Sequence, residues 1–129
     1  MALSGTRQIS VLIVDDEDDI RVLMRMIIQG GGDDLTVAAE AADGREALEY
    51  FGAHDVDVVV IDQRMPGLSG IETARQMLAE KPGQKIIMCS AFLDTDLKLE
   101  AEGAGIAVAI AKREINRLPQ VLRELFATD

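Results

Sequence analysis

The sequence predicts an α/β domain built on a doubly wound, five-stranded parallel sheet. Five short apolar runs alternate along the chain with segments of helical periodicity, which is the pattern of repeated β-α units. The runs are largely apolar instead of alternating with polar residues, as expected for parallel strands that helices cover on both faces. The chain has 129 residues, of which 48% are hydrophobic, so it can form one such domain with a substantial core.

The apolar runs predict strands at residues 9–14, 35–39, 56–61, 85–89 and 106–110. The helical stripes that follow these strands consist, in order, of Ile20, Leu23, Met24, Ile27 and Ile28; of Ala47, Leu48 and Phe51; of Ile71, Ala74 and Leu78; of Leu93, Leu97, Leu99, Ala101 and Ala104; and of Leu118, Val121, Leu122, Leu125 and Phe126. Asp43 is placed to cap the second helix, and Pro119 is compatible with the first turn of the fifth.

The composition excludes several classes of function. The net charge is −10, whereas a chain that binds nucleic acid needs a basic face, so we expect no direct nucleic-acid contact. No apolar run reaches the roughly 20 residues of a membrane span, and residues 1–10 lack the apolar stretch of a signal peptide. We therefore predict a cytoplasmic protein without membrane contact. The single cysteine, Cys89, excludes an intrachain disulfide and a cysteine zinc cluster.

Several conspicuous side chains are predicted to have structural roles alone. Glu17, Asp18 and Asp19 are interpreted as charges at the start of a helix, where acidic residues are favoured. His54 is predicted to be a surface residue. The side chains predicted to fill the core are Met24, Met26, Met77, Met88 and the thiol of Cys89.

Polar side chains stand where four of the predicted strands end. Asp15 and Asp16 follow the first strand, and Asp62 follows the third. Ser90 follows the fourth strand, and Lys112 lies just beyond the fifth. Ligand sites in parallel α/β sheets lie beyond the carboxyl ends of the strands, so these side chains are predicted to converge at one edge.

The chemistry of this set predicts phosphoryl transfer to a carboxylate. Carboxylates that lie close together repel one another unless one is protonated or a cation binds them. An all-oxygen site with water access suits Mg²⁺, which proteins hold through a few carboxylates together with substrate phosphate. Lys112 offers a positive charge for phosphate, and Ser90 offers a donor for a phosphoryl oxygen. Asp62 can then act as the nucleophile and form an aspartyl phosphate.

Four stretches of the chain resemble the signature motifs of response-regulator receiver domains. Residues 11–17 read VLIVDDE, residues 43–48 read DGREAL, residues 58–70 read VVVIDQRMPGLSG and residues 89–91 read CSA. The similarity covers nearly the whole chain, and the motifs stand in the order and at the spacing of the family. It implies the flavodoxin-like (β/α)5 fold with strand order 2-1-3-4-5. It also implies a single receiver domain over residues 1–129, with its core at residues 9–126.

The resemblance implies a role for each acidic residue of the edge. Asp62 is the acceptor of a phosphoryl group from the phosphohistidine of a sensor histidine kinase or phosphotransfer protein in a two-component system. Asp16 and Asp62 ligate Mg²⁺ directly, together with the backbone carbonyl of Arg64. Asp15 acts on the ion largely through water. Such a protein is not a conventional enzyme, because the reaction it catalyses is its own aspartyl phosphorylation and dephosphorylation.

The resemblance also implies how the phosphoryl group is read. Ser90 moves to hydrogen-bond the group and Lys112 pairs with it. The active surface in the family is normally the fourth helix, fifth strand and fifth helix. The partners expected on that surface are a downstream target protein or output domain, or a second copy of the chain in a homodimer.

Four positions bear on how such a switch would work in this chain. The aromatic switch residue of the family is Ala109 here, so phosphorylation needs another readout. The proline that usually follows the lysine is Arg113, and a cis bond before a residue other than proline costs about 3 kcal/mol. We therefore predict either a trans Lys112–Arg113 bond with a shifted loop or a strained cis bond. Arg64 and Phe92 flank the acceptor, and the bulk of Phe92 predicts slow to moderate loss of phosphate to water.

Three other classes of protein compete with a phosphorylatable receiver. The main alternative is a pseudo-receiver that acts purely as a protein-interaction module, which the residues Ala109 and Arg113 favour and the intact acidic edge opposes. A haloacid-dehalogenase-type hydrolase would require an acid two residues after Asp62, where Arg64 stands. A flavodoxin-like FMN protein would require a phosphate-binding loop after Val14, where the chain is acidic.

Overall fold

The computed structural model describes residues 8–127 and shows a five-stranded parallel sheet with helices on both faces. Its strands are β1 (Ile9–Val14), β2 (Leu35–Ala41), β3 (Val58–Ile61), β4 (Lys85–Ser90) and β5 (Val108–Ala111). Its helices are α1 (Asp18–Gly30), α2 (Gly44–Ala53), α3 (Gly70–Glu80), α4 (Thr95–Gly103) and α5 (Leu118–Phe126), the last preceded by a 3₁₀ segment (Lys112–Arg117). The strand order is β2-β1-β3-β4-β5, which confirms the predicted flavodoxin-like fold.

Parts of two predictions lie outside the described residues. The single domain was predicted over residues 1–129, of which residues 1–7 and 128–129 lie outside the described part. The absence of a signal peptide was predicted from residues 1–10, of which residues 1–7 lie outside it. Across residues 8–127, no helix has the length and apolar character that crossing a bilayer demands.

Two apolar clusters, one on each face of the sheet, make up the core. On one face, α1 and α5 cover Val11 and Ile13 of β1. On the other face, α2, α3 and α4 cover Leu12 and Val14 of the same strand. Successive residues of a strand point to opposite faces, so a strand covered on both sides needs apolar residues at every position. This double coverage explains the continuous apolar runs from which the strands were predicted.

The strand predictions are right in number and order and differ from the structure at their ends. β2 continues to Ala41, two residues beyond the predicted end, because Glu40 and Ala41 pair with Ile13 and Val14 of β1. β3 and β5 each begin two residues later than predicted, at Val58 and Val108. β4 includes Ser90, which pairs with Ala111. The late starts of β3 and β5 arise because the apolar residues Val56 and Ile106 are buried in the loops before these strands.

Three apolar side chains that were predicted to face the core are exposed. The exposed fractions are 42% for Leu23, 64% for Met26 and 61% for Leu99. A helix turns about 100° per residue, so Met26 lies nearly opposite the buried Met24, and Leu99 lies nearly opposite the buried Ala101. The core prediction is therefore wrong for Met26, and it is right for Met24, Met77, Met88 and Cys89.

Side-chain caps fix the starts of α2, α3 and α4, the last through Asp94. The carboxylate of Asp43 accepts a hydrogen bond of 2.8 Å from the backbone N–H of Glu46, which confirms the predicted cap of α2. Ser69 and Glu72 form a reciprocal capping box at the start of α3. Pro119 lies in the first turn of α5, as predicted. No peptide bond within residues 8–127 is cis, so Lys112–Arg113 adopts the trans alternative.

Candidate functional site

The register of the two central strands brings Asp15 and Asp62 together. Val14 pairs with Ile61 at the last position of β1 and β3, and the next residue on each strand is an aspartate. The backbone N–H of Asp62 donates to the carbonyl of Val14 at 2.9 Å. The backbone N–H of Asp15 donates to the carbonyl of Ala41 at 3.1 Å, so both residues are held by ladder-like bonds past the strand ends.

Asp15, Asp16 and Asp62 form a group of carboxylates that can hold a metal ion. One carboxylate oxygen from each lies within 4.8 Å of those of the other two. Asp15 and Asp62 are buried, and Asp16 is exposed, so the group has a closed side and an open side. Within residues 8–127, the buried Oδ2 atom of Asp15 accepts no hydrogen bond of acceptable geometry. A buried carboxylate beside two other carboxylates fits the binding of a hard cation such as Mg²⁺.

The ammonium group of Lys112 lies among the carboxylates at the end of β5. Its Nζ is 3.0 Å from Oδ2 of Asp15 and 3.3 Å from Oδ2 of Asp62. A third carboxylate, Glu17, brings its Oε1 within 3.2 Å of the same nitrogen. Burial works to lower the pKa of Lys112, but these neighbouring carboxylates outweigh burial and raise the pKa of the ammonium. Lys112 is therefore charged at neutral pH.

The carboxyl group of Asp62 has a raised pKa. Burial is the main cause, since it disfavours the charged form, and the negative charge of Asp15 acts in the same direction. The ammonium of Lys112 opposes both effects by stabilising the carboxylate. Burial also raises the pKa of the Cys89 thiol to about 12, and the buried position of the side chain confirms the predicted core location.

The carboxylate group opens into a cleft of about 270 Å³. The residues that line the cleft are Asp16, Glu17, Asp62, Arg64, Ala91, Phe92 and Lys112. The guanidinium carbon of Arg64 lies 4.9 Å from the centroid of the Phe92 ring, in a cation–π contact beside Asp62. A larger cleft of about 450 Å³ adjoins Asp43 and Leu68. We place the site in the smaller cleft, because that cleft contains the carboxylates and the ammonium.

Ser90 is a predicted site residue that is not among the residues lining the cleft. It is buried at the last position of β4, and its hydroxyl donates to the carbonyl of Phe92 at 3.3 Å. The hydroxyl thus bonds within its own loop. Arg64 follows Asp62 in the loop after β3, and its backbone contributes to the hydrogen bonding of the Asp62 carboxylate. The predicted role of the Arg64 carbonyl as a metal ligand stays a prediction.

Gly70 supports the acceptor in a way that the sequence motif alone did not reveal. A Cβ atom added at Gly70 would lie 2.3 Å from the carbonyl oxygen of Asp62, so only glycine fits there. The N–H of Gly70 donates to the carbonyl of Gln63 at 3.0 Å, and the side chain of Gln63 accepts from Ile71. The start of α3 is therefore packed directly against the backbone of Asp62. The position of Gly70 in the motif was visible, but its contact partner was not.

Glu17 and Arg21 are two further residues that the sequence did not assign to the site. Glu17 lies at the start of α1, as predicted, but its carboxylate also pairs with Lys112, which the prediction of a helix-start charge alone did not include. Arg21 donates to the backbone carbonyl of Asp15 and pairs with Asp18 and Glu40. It therefore ties the end of β1 to α1 and β2. The contacts of Glu17 with Lys112 and of Arg21 with Glu40 join residues that come together only in the folded chain.

Two further predicted positions, Ala109 and His54, lie outside the cleft. Ala109 is partly buried in β5 and lines a second cleft of about 270 Å³ with Lys98 and Ala101 of α4. His54 is exposed and stacks on Tyr50 with a ring-centroid distance of 4.1 Å, which confirms the predicted surface location.

The fold and the acidic edge define a class of protein, and comparison with known proteins identifies the same class. The chain matches the family described as "Response regulator receiver domain" over residues 11–123. It belongs to the family of response-regulator receiver domains.

Individual relatives agree with this assignment. The chain is 38% identical over 102 residues to the chemotaxis protein CheY of Thermotoga maritima, a match that covers 79% of this chain and 83% of that protein. It is 36% identical over 110 residues to protein-glutamate methylesterase/protein-glutamine glutaminase 2 of Caulobacter vibrioides, covering 84% of this chain and 31% of that protein. A Borrelia burgdorferi structure titled as a CheX-CheY-BeF3-Mg+2 complex matches with a TM-score of 0.86 and 25% identity, covering 93% of this chain and 90% of that chain.

Proposed function

We propose that this receiver domain accepts a phosphoryl group on Asp62. The observation that carries the proposal is the setting of the Asp62 carboxylate, which lies 3.3 Å from the Lys112 ammonium and lines the same cleft. A nucleophile and a cation that attracts phosphate therefore share one opening. Membership of the receiver family supports the same role for both residues.

We assign Asp16, Asp62 and the backbone carbonyl of Arg64 as direct ligands of Mg²⁺, with Asp15 acting largely through water. The close grouping of the three carboxylates supports this assignment. The B. burgdorferi relative, whose structure title includes Mg+2 and BeF3, supports it as well. Bound there, Mg²⁺ would neutralise the charge that develops between the attacking carboxylate and the phosphoryl oxygens.

The phosphoryl donor in this proposal is a phosphohistidine on a sensor histidine kinase or a phosphotransfer protein. An oxygen of Asp62 forms a bond to phosphorus while the bond from phosphorus to the histidine nitrogen breaks, and that nitrogen keeps the electron pair. An ionised carboxylate has no proton to lose, so the chain needs no general base for this step. Lys112 pairs with the oxygens of the transferred group, and Ser90 turns from the carbonyl of Phe92 to donate to one of them.

Phosphorylation then changes which proteins the domain binds. We assign this change to the surface of α4, β5 and α5, where a downstream protein or output domain, or a second copy of the chain, would bind. The C. vibrioides relative supports an output domain, because the matched part is 31% of its length. The cytoplasmic location, the single-domain organisation and the lack of direct nucleic-acid contact stay predictions. The pseudo-receiver alternative has no support from the site, in which the predicted carboxylates and Lys112 lie together.

The test is incorporation of phosphate from acetyl phosphate, followed by intact-protein mass spectrometry. We expect the wild-type chain to gain one phosphoryl group when Mg²⁺ is present and none when the metal is chelated. Asp62→Asn should gain none under either condition. Equal incorporation by Asp62→Asn would place the acceptor elsewhere, and no incorporation by a folded wild-type chain would favour a pure interaction module.

A further inference from the structure

Glu17 occupies a position where a carboxylate would be expected to cap a helix, but it does not cap. It is the residue before α1, with an extended backbone, and its side chain makes no capping hydrogen bond. Its backbone N–H donates to Oδ1 of Asp15 at 2.9 Å, which fixes the residue at the acidic edge. The Glu17 carboxylate turns instead across the cleft to Lys112, 95 residues away in the sequence, with an Oε1–Nζ distance of 3.2 Å.

The three carboxylate partners of Lys112 fall into two kinds. Asp15 and Asp62 belong to the group that can hold a metal ion, whereas Glu17 does not. The Asp15 side chain is fully buried and that of Asp62 is 5% exposed, but the Glu17 side chain is 62% exposed. Glu17 therefore reaches the ammonium from the solvent side of the cleft, while the other two hold it from within.

A cation bound to the acidic group changes the balance around Lys112. It draws on the carboxylates of Asp15 and Asp62, which also attract the ammonium, and its positive charge repels Nζ. Two of the three attractions are thereby weakened at the moment when the phosphoryl group arrives. The carboxylate of Glu17 is the one partner that the cation leaves free.

We infer that Glu17 is a positioning residue that keeps the Lys112 ammonium in the cleft when a divalent cation binds the acidic group. This inference rests on the proposed function of the site. Glu17 touches neither the cation nor the phosphoryl group in this arrangement. It acts through Lys112, which it holds beside the place where the phosphoryl oxygens will lie.

The size of the effect follows from the exposure of Glu17. Ion pairs that include a solvent-exposed side chain are modest and are screened by salt. Loss of such a pair corresponds to at most about a fivefold change in an equilibrium or rate. We therefore expect Glu17→Gln to slow phosphorylation by acetyl phosphate about three- to fivefold at saturating Mg²⁺ and low ionic strength, with a smaller loss in high salt.

The direct test is an NMR measurement on the full chain with ¹³C-labelled lysine. The lysines of the chain are Lys81, Lys85, Lys98 and Lys112, so the Cε signals can be assigned by substitution. In the wild type, saturating Mg²⁺ should leave the Lys112 signal at its ion-paired position. In Glu17→Gln, the same Mg²⁺ should move that signal towards the signal of the exposed Lys98.

The matched control is Asp19→Asn, which removes the same charge two residues further along, in the first turn of α1. Asp19 is not among the carboxylates that pair with Lys112. This variant should behave like the wild type in both measurements. In a Lys112→Met background, Glu17→Gln should have no further effect on phosphorylation, because its effect is transmitted through the lysine.

Several results would overturn the inference. Mg²⁺ could displace Lys112 equally in the wild type and in Glu17→Gln, or Asp19→Asn could reproduce the effect of Glu17→Gln. Weaker Mg²⁺ binding in Glu17→Gln with an unmoved Lys112 signal would mean that Glu17 acts on the cation instead. Failure of the proposed function is distinguishable, because it would appear as a wild type without phosphate on Asp62 while the Lys112 signal still reports the ion pair.

Discussion

The carboxylate of Asp62 is buried beside a second carboxylate, and this placement destabilises its charged form. The raised pKa has a defined consequence for folding, because the unfolded chain ionises Asp62 at a lower pH than the folded chain does. Stability therefore falls as pH rises from the ordinary carboxyl value to the raised one, and it stays lower above that window. The charged form of Asp62, which the proposed phosphorylation requires, is therefore the form that destabilises the fold.

We predict that Asp62→Asn stabilises the fold at neutral pH in the absence of divalent cations. The neutral amide keeps the shape of the side chain and removes its repulsion with Asp15, while Lys112 retains Asp15 and Glu17 as partners. Thermal unfolding should show a higher melting temperature for the variant at neutral pH. The difference in melting temperature between variant and wild type should narrow in acid, where Asp62 is protonated in both the folded and the unfolded chain. It should also narrow when Mg²⁺ is added, because the metal stabilises the wild type. A lower melting temperature for the variant at neutral pH would mean that pairing with Lys112 outweighs burial and repulsion.

The ring of Phe92 bears on the lifetime of the phosphorylated state. It is 68% exposed and lies against Arg64 at the wall of the cleft that contains Asp62. We predict that Phe92→Ala speeds the loss of phosphate about fivefold, which corresponds to about 1 kcal/mol of activation free energy. Decay of the phosphorylated protein after removal of acetyl phosphate measures this rate. Leu99→Ala, at an exposed apolar position on α4, is the control and should decay like the wild type. Fast decay that Phe92→Ala does not accelerate would refute a shielding role.

At the scale of elements, the strands were predictable because each is covered by helices on both faces. Their ends were less predictable, since a strand continues for as long as its neighbour offers a partner. Glu40 extends β2 against Ile13 despite its charge, and it pairs with Arg21 and Arg25 of α1. Leu23 and Met26 of α1 were predicted to face the core but are exposed. An apolar stripe in the sequence does not reveal how wide a face of the helix packs on the sheet.

The side chain of Lys81, the residue after α3, binds the C-terminal end of α2. The ammonium of Lys81 donates to the carbonyls of Phe51 and His54 at 2.9 and 3.1 Å and lies 4.3 Å from the centroid of the Phe51 ring. It also pairs with Asp55 at 3.2 Å. Carbonyls at a helix C-terminus lack helical partners, and a cation there also complements the helix dipole.

We predict that Lys81→Met lowers the free energy of unfolding by about 1–2 kcal/mol, because it removes hydrogen bonds from a charged donor while keeping an apolar stem. Urea denaturation measures this change. The control is Lys98→Met, which alters an exposed lysine on α4 and should change stability by less than about 0.5 kcal/mol. Equal effects of the two substitutions would show that the loss of charge, and not the capping contacts, controls the result.

At the scale of the whole molecule, the proposed function requires a connection from the site to the α4, β5 and α5 surface. Ala109 provides no aromatic ring to move, and it leaves a cleft between β5 and α4. The structure offers a different connection, in which the hydroxyl of Ser90 is bonded to the carbonyl of Phe92. If Ser90 turns towards a phosphoryl group, that bond breaks and the loop before α4 is released. Helix α4 can respond, because Ala101 is the only one of its nine residues that is buried.

We predict that beryllofluoride with Mg²⁺ changes backbone NMR signals in the loop of residues 91–94 and along α4, beyond the residues that line the cleft. The Ser90→Ala variant should still bind the analogue, but its changes should remain at the site, since it cannot exchange the Phe92 bond for one to the ligand. Changes limited to the cleft in the wild type would show that no switch is propagated. Propagation that persists in Ser90→Ala would assign the connection to another residue.

The candidate site was predictable to the extent that it depends on strand ends. Asp15, Asp16, Asp62 and Lys112 follow apolar runs, and parallel topology brings such positions to one edge. The contacts of Glu17 with Lys112 and of Arg64 with Phe92 could not be predicted, because they join loops that meet only in the folded chain. The orientation of the Ser90 hydroxyl was also unpredictable, since rotation about a single bond selects between its own loop and the cleft.

The most direct measurement of the central claim identifies the phosphorylated residue itself. The chain is treated with acetyl phosphate and Mg²⁺, the acyl phosphate is reduced with borohydride, and the peptides are sequenced by mass spectrometry. Reduction of an aspartyl phosphate yields homoserine, so we predict homoserine in place of aspartate at Asp62 and unmodified aspartate at Asp15 and Asp16. Homoserine at Asp15 or Asp16, or its absence from every position of a folded and metal-loaded chain, would contradict Asp62 as the phosphoryl acceptor.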